Sequence, residues 1–134
     1  MAFRADLKLD DIDFRVLDFT YNFHRAVDPA NGQVASRMYG GTLSFEVEVT
    51  ADNDLWAYII TNKEIQKGEV TFRKTDEDSA MKTISFERAC LVDMTEHFSS
   101  IGGQPMSMRF VISCEVLTMK GIKHENQWSR MASR

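Results

Sequence analysis

Apolar side chains at every second position recur along most of this chain, and that repeat belongs to β-strands with one dry and one wet face. Phe3, Ala5, Leu7 and Leu9 alternate with Arg4, Asp6 and Lys8, and Leu43, Phe45, Val47 and Val49 alternate with Ser44, Glu46 and Glu48. A chain patterned in this way buries its dry faces by rolling sheets against each other or closing them. Its 134 residues suffice for one core and one domain. The pattern predicts a mainly β fold, a small β-barrel of two rolled antiparallel sheets, with one short flanking α-helix.

Asp10-Asp11 reads as a turn after the first strand. The next run carries Ile12, Phe14 and Val16 and then shifts phase to Phe19, Tyr21 and Phe23, as a β-bulge does in a long bent strand. From His24 to Gly41 the alternation stops, with Asp28-Pro29 and Asn31-Gly32 as turn formers and Gly40-Gly41 as a flexible exit. A loop of this length in so small a domain does work or lies against another chain. After a third strand ending at Thr50, Asp52 is placed to cap a helix whose buried face is Leu55, Trp56, Ile59 and Ile60, and Asn62-Lys63 with Lys67-Gly68 ends it.

Val70 and Phe72 open a hairpin that turns through Thr75 to Ser79. The return strand carries Ile84, Phe86, Cys90, Val92, Met94 and Phe98 on one face. A loop from Ser99 to Pro105 leads to a last long strand with Met106, Met108, Phe110, Ile112, Cys114 and Val116 on one face. Beyond Met119 the chain is polar with a solitary Trp128, which docks either on its own barrel or on a neighbour.

Lys plus Arg number 16 against 20 Asp plus Glu, a net charge of −4 with no basic stripe, which argues against nucleic acid. The longest apolar stretch, Leu55 to Ile60, is far too short to span a membrane, so no membrane insertion is expected. The N-terminus lacks an apolar signal core, so the chain is expected to fold in the cytoplasm, with any export bypassing the signal-peptide route. Cys90 and Cys114 lie in strand-like runs without metal or redox spacing and read as buried, reduced thiols.

Neither a phosphate-binding glycine loop nor a nucleophile elbow nor an HExxH pair occurs. His24, His97 and His124 fall in separate segments, and His124-Glu125 has no second ligand at metal spacing. Asp76, Glu77 and Asp78 lack the glycine and terminal Glu of a calcium loop, and Glu46 with Glu48 fits a solvated strand face. No catalytic residue, cofactor site or metal site is assigned, and the chain does not read as an enzyme.

The ordered segments FRADLKLD, the loop ending in Tyr39-Gly40-Gly41 before TLSFEVEV, DNDLWAYII, GEVTFRK, SFERACLVDMTEHF, PMSMRFVISCEV and HENQW resemble the Hcp-type tube proteins (TssD family) of type VI secretion systems, particularly the short Bacteroidota-type branch. The likeness runs from about Phe3 to Trp128. It places one domain at residues 1–128 and a polar tail at 129–134.

The resemblance implies a structural subunit that closes into a hexameric ring and stacks into an inner tube expelled by sheath contraction. The implied partners are further copies of the chain, the contractile sheath, the spike and baseplate proteins, and effector proteins carried in the lumen. Secretion without a signal peptide is implied as well. Val27, Val34, Met38 and Tyr39 in the long loop, with His124 and Trp128 in the tail, are the candidates for ring stacking and subunit contact. Ser44, Glu46 and Glu48 line the lumen or meet the sheath. The rival readings are a tube protein of another contractile injection system and a ligand-binding small β-barrel.

Overall fold

The structure, a computed structural model, describes residues 3–35, 38–74, 80–103 and 106–126. Seven antiparallel strands and one helix follow in the order β1 (Phe3–Leu9), β2 (Ile12–His24), β3 (Tyr39–Glu48), α1 (Trp56–Ile60), β4 (Ile65–Lys74), β5 (Ala80–Phe98), β6 (Met106–Met119) and β7 (Ile122–Glu125). All strands belong to one sheet of order β3-β2-β1-β4-β5-β6-β7, and an additional β3–β6 pairing closes it on itself. The rolled sheets expected from the alternation are therefore continuous with each other. Leu7, Leu9, Phe14, Leu43, Phe45, Val47, Val70, Ile84, Phe86, Phe110 and Ile112 fill the interior.

Two long strands each pass from one side of this closed sheet to the other. The register of β2 against β3 slips between Val16 and Asp18, as the phase shift in its sequence predicts. The register of β5 against β6 slips between Leu91 and Asp93. Before its slip β2 pairs with β1, over Ile12 to Val16, and before its slip β5 pairs with β4, over Ala80 to Ala89. Among the described residues, each strand beyond its slip keeps a single backbone neighbour, β3 for β2 and β6 for β5.

The phase of β5 and β6 differs from simple alternation. Ile84 and Phe86 are buried but are followed by Ala89 and Leu91, not by Cys90 and Val92, while Cys114 is followed inward by Leu117 and not by Val116. Both strands change face at Arg88 and Glu115, where Arg88 adopts φ 54. The Arg88 guanidinium lies 2.6 Å from the buried Glu115 carboxylate and 3.5 Å from Glu64, so the crossover is held by paired charges. Neither cysteine is in a disulfide, and Cys114 is buried while Cys90 is only partly so.

The helix also departs from its sequence pattern. Asp54, not Asp52, accepts the Trp56 N–H, at 2.8 Å, and the buried face is Leu55, Tyr58 and Ile59, with Trp56 and Ile60 turned outward. One helical turn of five residues presents too narrow a face to bury all four residues of the predicted stripe. Asn62, at φ 59, ends the helix as expected. Lys67-Gly68 instead lies inside β4, where the Phe86 ring presses so closely on Gly68 that a Cβ would collide with it.

Asp10 ties these elements together from the β1–β2 turn. Its carboxylate accepts the Tyr58 hydroxyl at 2.8 Å and the backbone N–H groups of Gln66 and Lys67, while its own N–H donates to the Lys67 carbonyl. Burial, followed by the Asp10 hydrogen bond and the charges of Asp10 and Asp11, pushes the Tyr58 phenol up to about 12.

Candidate assembly surface

Beyond their bulges, β2 and β5 flank β3 and β6 in a four-stranded antiparallel sheet of order β2-β3-β6-β5. Among the described residues, no strand pairs with the outer edge of β2 over Asp18–Phe23 or with that of β5 over Asp93–Phe98. Backbone groups on such edges are open to another chain. The two edges run in opposite directions, because three antiparallel steps separate them. The bulge residues Leu17 and Val92 mark where the edges begin, and they carry apolar side chains that are 44% and 57% exposed.

The inward face of this sheet is apolar and packed on the core through Phe19, Phe45, Phe110 and Met94. Its other face carries Thr20, Ser44, Glu46, Thr95 and Arg109 around a shallow cleft of about 380 Å³. The Arg109–Glu46 pair across it is 3.6 Å apart with the Arg109 side chain exposed, so it contributes little to stability.

At the end of the molecule where β2 finishes, the long loop is shorter than predicted. Tyr39, Gly40 and Gly41 belong to β3, with Tyr39 paired to His24 and Gly40 to Phe23. The segment between is itself folded back as a small hairpin with a Val27–Val34 bridge, in which the Asp28 N–H donates to the Gln33 carbonyl and the Ala35 N–H to that of Ala26. Val27 and Val34 are both exposed on this hairpin, and Met38 is half-buried at its return.

The chain's last described residues close on the same end, for the polar stretch beyond Met119 forms β7 on the second half of β6. The His124 ring packs edge-on against Phe23 at 4.9 Å, and its Nε2 lies 3.1 Å from the Asn126 amide oxygen. The Asn126 Nδ2 donates to the carbonyls of Gly40 at 2.8 Å and Cys114 at 2.9 Å. Gly41, at φ 89, leaves the slot for that amide, since a Cβ there would stand 2.6 Å from Nδ2.

The structure thus places Val27, Val34, Met38, Tyr39 and His124 at one end of the molecule. His124 faces its own chain through Phe23 and Asn126, and Trp128 lies outside the described residues. Edge strands are the expected ring contact, but which edges stay open, and the Asn126 latch, were not singled out in the sequence. The edges are marked there only by the β2 phase shift, and the latch only by the order of YGG and HEN.

Among the described residues, no group of three His, Cys, Asp or Glu side chains is placed to hold a metal ion, and no helix is long and apolar enough to cross a membrane. Burial raises the Cys114 thiol to about 12, with a smaller contribution from the nearby Cys90. That thiol is no nucleophile at neutral pH.

Comparisons with known proteins agree with this geometry. A search of the curated proteins finds no match to the chain. Among solved structures, Hcp1 from Flavobacterium johnsoniae is similar with a TM-score of 0.83 and 28% identity, covering 92% of this chain and 99% of that one. Hcp1 from Salmonella typhimurium is similar in fold, with a TM-score of 0.74 and 17% identity, covering 92% of each chain. The secreted protein Hcp3 from Pseudomonas aeruginosa is similar in fold at a TM-score of 0.65 and 12% identity, covering 96% of this chain and 99% of that one. The family described as hemolysin coregulated protein Hcp (TssD) matches residues 1–129. The chain belongs to that family, the tube proteins of type VI secretion.

Proposed function

We propose that this protein is the repeating subunit of a type VI secretion inner tube, closing into hexameric rings by pairing the free edge of β5 with the free edge of β2 on the next copy. The observation that carries this reading is the four-stranded sheet with two open edges of opposite direction. Edges so related join antiparallel, and each junction leaves one β2 edge and one β5 edge for the next copy. The contact is heterologous and closes when the rotation per copy divides a full turn, here at one sixth of a turn per copy.

Joined edge to edge, the four-stranded sheets make one continuous cylinder wall. The bulk of each domain (β1, β4 and α1) lies on the apolar side of that wall, and only the outside of a cylinder has room for it. The polar face with Thr20, Ser44, Glu46, Thr95 and Arg109 therefore lines the lumen, where effector proteins are carried. The Val27–Val34 hairpin projects from one end of the domain and supplies the contact between stacked rings. The role is structural, and the protein leaves the cell when the sheath contracts.

The test is the pair of variants Leu17→Lys and Val92→Lys. Each places a charge on one edge at a position already exposed in the monomer, so the fold survives and the ring is lost. Mixed together, the two variants still share one intact β5–β2 junction and form a heterodimer. Rings from both single variants, or no heterodimer from folded variants, would refute edge pairing.

A further inference from the structure

Among the described residues, apolar features lie uncovered on the inner side of the four-stranded sheet beside each open edge. Next to β2 lies a groove of about 510 Å³ walled by Phe3, Leu17, Phe19, Tyr21, Phe72 and Met81, with Arg4 and Lys82 also lining it. Next to β5, on which it packs, α1 turns Trp56 and Ile60 outward, 59% and 69% exposed and one helical turn apart. A tryptophan held outward on an ordered helix is the side chain type that anchors interfaces when a pocket receives it.

We propose that the outer face of α1 on one subunit is the knob that fills the β2-side groove of the next, with Trp56 seated among the aromatic side chains of the groove. The proposal rests on the edge-paired ring and goes beyond it by naming the side chains that hold neighbouring subunits together. The occupant follows from position. When the β5 edge of one copy pairs with the β2 edge of another, whatever flanks each edge on the inner side of the sheet is carried to the same junction. Those flanking features are α1 on one copy and the groove on the other.

Chemistry supports the same occupant. The groove presents the rings of Phe19, Tyr21 and Phe72, with Phe19 centred 5.8 Å from Tyr21 and 5.5 Å from Phe72, and such a cluster accepts an indole in tilted or edge-on contact. The residues leading into α1 include the exposed carboxylates Asp52 and Asp54, opposite in sign to Arg4 and Lys82. Lys82 stands 5.7 Å over the Tyr21 ring, which places its charge at the mouth of the groove.

The experiment uses the full chain with Trp128→Phe, so that Trp56 is the only indole. Its emission and acrylamide quenching are compared between assembled protein and the same chain carrying Val92→Lys, which leaves both groove and helix unaltered. Assembly is expected to shift the emission to the blue and to reduce quenching severalfold. Trp56→Ala and Met81→Asp, each at a position exposed in the monomer, are expected to raise the concentration at which rings dissociate about tenfold or more, and the double variant to be no worse than the stronger single one. Rings in which Trp56 is as quenchable as in the monomer, or whose dissociation Trp56→Ala leaves unchanged, overturn the knob and leave the ring intact. Absence of rings from the unsubstituted chain overturns both.

Discussion

At the scale of single residues, the fold depends on a few polar groups whose role is invisible to periodicity. Asn126 bonds the two carbonyls of Gly40 and Cys114 across 86 and 12 residues of sequence, so no local window reveals it. Asn126→Ala is expected to cost about 1–3 kcal/mol in denaturant unfolding, the cost of leaving such groups without a partner. It is also expected to expose the loop between β2 and β3 to faster proteolysis. Gly41→Ala is expected to destabilise by a similar amount, and less so in the Asn126→Ala background, where the Cβ no longer meets the amide.

Cys114 was legible as a buried thiol and Cys90 only in part. In the folded protein Cys114 is expected to resist a thiol reagent at mildly alkaline pH, reacting only after unfolding, and rapid modification of Cys114 in the native state would contradict its raised pKa.

Tyr58 supplies the pH prediction. Its folded pKa, about 12, lies above the ordinary 10.0, so the neutral phenol is favoured by folding. The stabilisation is complete below pH 10 and is lost as pH rises from 10 towards 12, where the unfolded chain binds fewer protons than the native one. An ultraviolet phenolate titration should show one tyrosine ionising late, and Tyr58→Phe should remove that part of the alkaline loss of stability.

At the scale of elements, alternation made β1 and β3 readable and placed the bulge in β2, because those strands keep one face dry over whole stretches. It misplaced the inward residues of β5 and β6 beyond Arg88 and Glu115, since a change of face forced by a paired backbone crossover has no mark in residue types. The helix stripe was read too wide for one turn. β7 was missed because four mostly exposed residues carry too little apolar pattern. The open edges follow from which strands fail to pair, a property of topology that no single segment contains.

At the scale of the whole molecule, the candidate residues of the long loop and His124 gather at one end of the domain, while the edges suited to closing a ring lie along its sides. That separation fits a subunit with two distinct kinds of contact, lateral for the ring and axial for the stack. The central claim is that the four-stranded sheet is one sixth of a closed wall. Light scattering on the purified full-length chain, with negative-stain images of the same peak, tests it most directly. Particles of six times the 15.4 kDa chain mass, imaged as six-fold rings with an open centre, are expected. A single species at the mass of one chain, at concentrations where the edges ought to pair, would contradict it.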